Sequence, residues 1–239
     1  MAQYHSIIFG DKHTWEDWHL VPTSRPVFNP PTPKTKFVDI PGADYHLDLT
    51  EVLTGNVVYN PREGSFEFIV LNGYEVWNEL YSKILNYLHG QVFKAILMDE
   101  PAYYYEGRFT VNEWKSEPHN SKIVINYTVN PYKRDIKTSL EDWEWDPFSF
   151  ESGIIREYKD LRVDKNMTFI VIGDRMEVTP SFIVKSDDGK GLDVEFKGTT
   201  YHLPDGTSRV INIRTVEGEN TLKFTGNGTV SIEYRGGRL

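Results

Sequence analysis

The sequence contains no cysteine, which excludes disulfide bonds and every metal site built on a thiolate ligand. It also has no apolar run near the eighteen or so residues that a membrane-spanning helix requires. Its first residues, MAQYHSIIFGDKH, show neither the basic nor the apolar segment of a secretory signal peptide. We therefore expect a protein without membrane insertion and without export by that route.

Positive charge is in the minority. The chain carries 35 acidic and 26 basic residues, a formal net charge of −9, and the acidity is spread over both halves. Such a chain lacks the basic face that binds nucleic-acid phosphates. We expect no specific DNA binding, although the protein could surround a polyanion without adhering to it.

Tryptophan is missing after position 145, and this bears on sugar binding. Carbohydrate modules often stack sugar rings on exposed tryptophan or tyrosine, and only Tyr158, Tyr201 and Tyr234 remain in the last part of the chain. Since they mostly fall in apolar registers, the pattern argues against a glycan platform there. Tyr158 and Tyr201 are the pair that would supply one.

One helix is predicted in NGYEVWNELYSKILNYLHG, residues 72–90. Its apolar residues recur every three or four positions, the spacing of an amphipathic helix, with Asn72 as N-cap and Gly90 as the stop. We expect Trp77 and Leu80 to pack against a sheet that carries Tyr105 and its neighbours.

Strands are predicted on both sides of this helix. YYYEGRFTVN (103–112) and KIVINYTVN (122–130) alternate as a hairpin with odd-numbered residues in the core and even-numbered residues on a polar face. EVLTGNVVYNPREGSFEFIV (51–70) reads as two strands around a turn at 60–64. Residues 22–41 are dense in proline, which predicts an extended arm or edge segment.

The C-terminal part reads as strands throughout. The runs 192–197 and 230–234 alternate, and SDDGKG, LPDGTS, VEGEN and TGNG are turn-like sequences. Residues 136–153 show neither the helical nor the strand periodicity, which indicates a linker. The predicted fold is mainly β with one principal α-helix: a β-rich N-terminal domain at 1–135, and a C-terminal antiparallel β-sandwich at 136–239 that includes the linker.

No catalytic, cofactor-binding or metal-binding motif with the required residue spacing is found in the sequence. Phosphate loops, nucleophile elbows and dinucleotide fingerprints are absent. Asp11, His13, Asp17 and His19 have metal-ligand chemistry without a metal-site spacing, and the acidic pairs 99–100 and 187–188 sit in predicted turns. We predict no catalytic, cofactor-binding or metal-binding residue, no cofactor, and no enzymatic activity.

Three segments carry a resemblance to a known family: DIPGADYHLDLTEVLTGNVVYNPREGSFEF (39–68), YSKILNYLHG followed by YYYEGRFTVNEWK (81–115), and LPDGTSRVINIRTVEGENTLKFTGNGTVSIEYRGGRL (203–239). In this order they resemble the distal tail proteins (Dit) of long, flexible-tailed phages or prophages of Gram-positive bacteria. The resemblance spans nearly the whole chain.

This resemblance implies a non-enzymatic structural hub at the distal tip of the tail in the virion, assembled in the bacterial host cytoplasm. Residues 1–135 would close a homohexameric ring through which DNA passes, and residues 136–239 would form a galectin-like or carbohydrate-module-like sandwich outside it. The implied partners are the tail tube protein, the tail-associated protein and receptor-binding proteins. Two alternatives stay open: an adhesin for host cell-wall glycans, and a glycan-cleaving enzyme.

Overall fold

The computed structural model describes residues 5–71, 77–115, 121–142 and 153–239. The chain divides into two compact units, Met1–Lys133 together with Leu239, and Arg134–Arg238. The elements of the first unit are β1 (Ile7–Phe9), β2 (Lys12–His13), β3 (Leu20–Pro22), β4 (Phe37–Asp39), β5 (His46–Asp48), β6 (Arg62–Val70), α1 (Trp77–Leu88), β7 (Gln91–Leu97), β8 (Tyr103–Lys115) and β9 (Lys122–Val129).

β10 (Lys133–Asp135) lies at the division between the units. The elements of the second unit are β11 (Leu161–Gly173), β12 (Ser181–Ser186), β13 (Leu192–Phe196), β14 (Thr199–Leu203), β15 (Gly206–Arg209), β16 (Gly218–Glu233) and β17 (Gly237–Arg238). The expected fold class, mainly β with one principal helix, is confirmed in the described part of the chain. No helix there is long and apolar enough to cross a bilayer.

An antiparallel sheet in the order β2-β1-β7-β8-β9-β6-β3 forms the N-terminal unit. In β8 and β9 the odd-numbered residues enter the core as predicted, because alternate side chains of a strand point to opposite faces. Tyr104 departs from the prediction. It belongs to the polar face but is buried, and the Lys94 ammonium lies 4.8 Å from its ring centroid.

Helix α1 covers one face of this sheet. Trp77, Leu80, Ile84 and Leu88 follow the helical period, and all four are buried in the core cluster that contains Tyr105 and other β8 residues. Gly90 stops the helix with φ of 74°, a conformation that suits glycine. The predicted N-cap, Asn72, lies outside the described residues.

The strand predicted over 51–59 is wrong. Residues 49–55 form turns instead, closed by hydrogen bonds from Val52 N–H to Leu49 C=O (3.3 Å) and from Gly55 N–H to Glu51 C=O (2.7 Å). The predicted turn at 60–64 is shorter than expected, since β6 begins at Arg62 and pairs with β9 from that residue onward. The apolar residues of 51–58 mimic a strand pattern without being buried in a sheet.

In the C-terminal unit, hydrogen bonds join six strands into one antiparallel sheet around the long strand β16. β11 pairs along one edge of β16, while the other edge pairs with β13 at residues 223–225 and with β12 at residues 228–233. The sheet order is β14-β13-β16-β12-β15 with β11 on the free side of β16. Its core cluster includes Phe182, Phe224 and Ile232, all fully buried.

The turn predicted at TGNG, residues 225–228, is wrong because this segment continues β16. It lies where the neighbour of β16 changes from β13 to β12. A side chain at Gly226 would collide with Leu192, and one at Gly228 would collide with the backbone of Lys185. The glycines therefore permit close packing at this change of neighbours.

Candidate assembly surface

The segment that follows β3 is fixed to the core by one aromatic side chain. Phe28 is buried among three rings, with centroid distances of 4.0 Å to Tyr105, 4.7 Å to Tyr127 and 5.0 Å to Phe66. Stacked and edge-to-face ring pairs stabilise a core beyond the area that they bury. Phe28 is therefore the anchor of the chain that leaves the sheet after it.

Asn29 adds a polar anchor beside this ring. Its backbone N–H donates to the Tyr127 hydroxyl at 2.8 Å, and its side-chain amide donates to the Glu63 carbonyl at 2.8 Å. The buried guanidinium of Arg62 donates to the Asn29 carbonyl at 3.1 Å and to the Pro131 carbonyl at 2.7 Å. Burial lowers the pKa of Arg62, and this site ties β6, β9 and the departing chain together.

A short neck closes the departing loop. Residues 32–34 run antiparallel to 58–60: Lys34 N–H donates to the Val58 carbonyl at 2.7 Å, Asn60 N–H donates to the Thr32 carbonyl at 2.8 Å, and Pro33 faces Tyr59. Proline is tolerated at such an edge because it has no N–H to leave unpaired. The prediction of an extended, proline-dense segment fits this geometry.

Beyond the neck, residues 34–58 form what we call the arm. β4 and β5 pair over three residues each, and all six are exposed. The arm presents eight exposed large apolar side chains: Phe37, Val38, Ile40, Tyr45, Leu47, Val52, Leu53 and Val58. Leu53 is 96% exposed. Exposed apolar side chains concentrated in one segment are typical of a surface that contacts another molecule.

Local hydrogen bonds keep the arm ordered without a core. Thr50 N–H donates to Asp48 Oδ1 at 2.9 Å, and the Thr50 hydroxyl accepts from Lys36 N–H at 3.1 Å. The Thr50 hydroxyl and N–H both lower the pKa of Asp48 by stabilising its charged form. His46 contacts Asp39 across the hairpin. Sequence reasoning placed an arm at 22–41 and missed that its apolar surface continues to Val58.

The four potential ligands of the first turn, Asp11, His13, Asp17 and His19, all form hydrogen bonds within the fold. His13 Nδ1 accepts from the N–H groups of Trp15 and Glu16 at 3.2 Å each, and Asp17 accepts from His13 N–H at 2.7 Å. That last bond lowers the pKa of Asp17. In the part of the chain that the structure describes, no three metal-ligating side chains form a cluster.

The acidic pairs at 99–100 and 187–188 contact basic side chains. Asp99 contacts the His5 ring at 2.7 Å and the Arg25 guanidinium at 2.7 Å. Burial opposes ionisation of Asp99, yet these two hydrogen bonds lower its pKa overall. Asp187 forms an exposed pair with Arg162 at 2.6 Å, and this contact lowers its pKa. A general acid near neutral pH needs a raised pKa instead.

The described part of the C-terminal unit contains a buried charge cluster. Arg156 donates to Asp135 at 3.0 Å and to Asp174 at 3.3 Å, and Arg238 donates to Asp174 at 3.0 Å. Burial raises the pKa of Asp135, although Arg156 opposes the shift. The cluster joins Arg238 of the last strand to Asp135, Arg156 and Asp174. These charges pair with one another, so their role is structural.

The tyrosines of this unit do not form a sugar platform. Tyr158 and Tyr234 are buried, and their hydroxyls accept from the backbone N–H groups of Ile172 at 3.0 Å and Asp174 at 2.8 Å. Tyr201 is partly buried against the same core. Stacking on a pyranose ring requires an exposed aromatic face, so Tyr158 is unable to supply half of the pair considered above.

These features define a class: a mainly β protein of two compact units whose most unusual surface is an anchored, apolar arm. Comparison with models of protein families gives no match, and no curated protein matches the sequence. Among solved structures the chain is similar to the Dit protein (gp 19.1) of SPP1, described as a paradigm of the hub adsorption apparatus in phages that infect Gram-positive bacteria.

The similarity to SPP1 Dit extends over the whole length of both proteins. It covers 98% of this chain and 99% of the SPP1 protein with a TM-score of 0.59, at 11% sequence identity. The resemblance to distal tail proteins inferred from the sequence is thus confirmed at the level of the fold.

Proposed function

We propose that the protein is a structural hub subunit at the distal end of a long, flexible phage tail, where it joins the tail tube to the tail tip or baseplate. The observation that carries this proposal is the fold shared over nearly the full length with a hub protein of the adsorption apparatus. The exposed apolar arm supports it, because a subunit of an assembly needs surface that is covered only by its neighbours.

In this proposal residues 1–135 close a homohexameric ring. A ring forms when a head-to-tail contact repeats and closes on itself, and each contact should bury more than about 1,000 Å² to be stable. The arm belongs to this half of the chain, and in this proposal its exposed apolar side chains take part in that contact. Residues 136–239 then form a separate domain outside the ring.

The proposed partners are further copies of this chain, the tail tube protein, the tail-associated protein and receptor-binding proteins. DNA passes through the ring without specific binding, because a subunit with a net charge of −9 repels phosphate when it is repeated around a lumen. The protein acts without a cofactor and without catalysis. Its place is the distal tip of the virion tail, after assembly in the host cytoplasm.

Glycan adhesion by the C-terminal domain is the less favoured function. The chain has no tryptophan after Trp145, and Tyr158 and Tyr234 are buried. We expect the full-length protein to bind cell-wall saccharides no more tightly than about 1 mM, or about −4 kcal/mol. NMR titration with such saccharides measures this affinity, and micromolar binding would favour the adhesin.

Electron microscopy tests the hub directly. We expect sixfold rings of the purified protein, alone or with its tail partners, and a sixfold layer at the distal end of intact tails. If the purified protein is a monomer, the intact tail decides the question, because tail partners can drive ring closure by mass action. A different symmetry of this layer in tails would contradict the proposal.

A further inference from the structure

We propose that residues 235–238 form a strap that opens and closes on the C-terminal unit while the sheet of that unit stays folded. The strap has the sequence RGGR and contains β17. When it is closed, it joins the first residues of the unit to the residues that follow β11, because it bonds to both. All the contacts that carry this inference lie within Arg134–Arg238, so it does not depend on the proposed function.

The backbone of the strap bonds to a segment on each side. The Gly236 carbonyl accepts from Asp135 N–H at 3.2 Å, and the Gly237 carbonyl accepts from Met176 N–H at 2.9 Å. Both glycines are buried. A side chain at Gly236 would collide with the Asp135 carboxylate, and one at Gly237 would collide with Met176. The two glycines therefore let the strap lie close to both segments.

The two arginines of the strap reach the same two segments. The Arg235 guanidinium donates to the Asp135 carbonyl at 2.7 Å and also to the Ile136 carbonyl. The Arg238 guanidinium donates to the Asp174 carboxylate at 3.0 Å. Arginine suits both places, since its guanidinium can donate to several acceptors at once. Each segment is thus bonded to the strap through the backbone and through a guanidinium.

Arg238 contributes positive charge to the buried cluster. Arg156 bonds to both Asp135 and Asp174, and its Cζ lies 4.9 Å from the centroid of the buried Tyr234 ring, so Arg156 is held without the strap. Removing one partner of a buried ion pair is costly, because the charge that remains is not compensated. The contact between Arg238 and Asp174 therefore favours the closed strap.

The strap lies outside the apolar core of the unit. The described residues of the core cluster end in sequence at Tyr234, and the strap itself carries no apolar side chain. Segments that bury little apolar surface open locally at a lower free energy than the core. Residues 235–238 can therefore separate from Asp135 and Met176 while β12 and β16 remain paired. Opening exposes the carboxylates of Asp135 and Asp174 to water.

Hydrogen exchange in the full-length protein tests the strap. Arg238→Ala should speed exchange of the Asp135 and Met176 amides at least about tenfold, because it leaves the buried carboxylates with less positive charge. The amides of β12 and β16 should keep their rates within about twofold. NMR resolves the individual amides. The matched control is Arg214→Ala, which breaks an exposed pair with Glu177 in the same unit and should leave all these rates unchanged.

A second variant opens the strap without changing its charge. Gly237→Ala places a methyl group against Met176 and should give the same local acceleration. Unchanged exchange of the Asp135 and Met176 amides in both variants would overturn the strap. Equal acceleration throughout β12 and β16 would also overturn it, since the strap would then belong to the same cooperative unit as the sheet.

Discussion

The arm and the β11–β16 pair both consist of antiparallel strands, but they differ in whether their side chains are buried. β16 pairs with every residue of β11, and alternate residues of β16 are buried in the C-terminal core. β4 and β5 pair as regularly over three residues, yet none of their side chains is buried. Strand pairing therefore stabilises a core in one place and displays a surface in the other.

The two pairs also differ in what holds them. β11 and β16 are held by the burial of their own side chains, for example Val163 and Phe224. The arm is held at its root, where Phe28 is packed among aromatic rings and Arg62 bonds to the Asn29 carbonyl. Substitutions should therefore affect stability at the root and in the C-terminal core, and affect assembly in the arm.

The largest effect is expected in the C-terminal core. Phe224→Ala should lower the free energy of unfolding by about 3–5 kcal/mol, because it removes a fully buried ring that lies 6.2 Å from the ring of Phe182. Urea unfolding followed by circular dichroism measures the loss. A loss below about 1 kcal/mol would show that burial of its own side chains does not hold this sheet together.

A smaller effect is expected at the root of the arm. Tyr127→Phe removes the hydroxyl that accepts from Asn29 N–H, and loss of a partly buried hydrogen bond of this kind costs about 1 kcal/mol. Tryptophan fluorescence can follow the unfolding, since four of the six tryptophans lie in the N-terminal unit. Tyr45→Phe in the exposed arm is the matched control and should leave stability unchanged. Equal stability of both variants would contradict the anchoring role of Asn29.

Two aspartates should give opposite pH dependences. Burial raises the pKa of Asp135, so its contribution to stability is present below the unfolded value of about 3.9 and is lost as the pH rises through the folded value. Bonds from Thr50 lower the pKa of Asp48, so its contribution is present above about 3.9 and is lost as the pH falls through the folded value.

Comparing Asp135→Asn and Asp48→Asn with the unaltered protein over a series of pH values isolates these contributions. Relative to its variant, the unaltered protein should lose stability on the alkaline side for Asp135 and on the acid side for Asp48. Chemical denaturation at each pH is the measurement. If the stability difference changed with pH in the same direction for both aspartates, the contrast between the buried carboxylate and the exposed one would be wrong.

The smallest effect on folding is expected at the most exposed residue of the arm. Leu53→Ala should change the free energy of unfolding of the monomer by less than about 0.5 kcal/mol, because the side chain contacts little in the folded chain. Urea unfolding at a protein concentration too low for assembly measures it. A loss above about 1 kcal/mol would show that Leu53 contributes to a core.

The elements with one clear period could be predicted from the sequence. The alternation of β8 and β9 and the helical stripe of α1 each identify a buried face, because burial enforces that period. The same rule failed for residues 51–58, where Val52 and Val58 give a strand-like pattern but are exposed. A periodic pattern of apolar residues in the sequence does not show whether those side chains are buried within the same chain.

Glycine in TGNG posed a different problem. Gly226 and Gly228 suggest a turn, but in the fold they give room to Leu192 and to the backbone of Lys185. Both uses exploit the missing side chain, and a single sequence does not distinguish them. The same holds for the first turn, where ligand-type residues such as His13 and Asp17 bond to the local backbone. Distances were needed to resolve both cases.

The closed neck at 32–34 and 58–60 has a thermal consequence. An arm that is already folded has little ordering left to undergo on binding, so the heat capacity change of assembly should reflect apolar burial without a folding contribution. That change is negative, and contacts formed by apolar burial weaken in the cold. If the exposed apolar side chains of the arm make assembly contacts, as the proposed function requires, those contacts should therefore weaken on ice and re-form on warming.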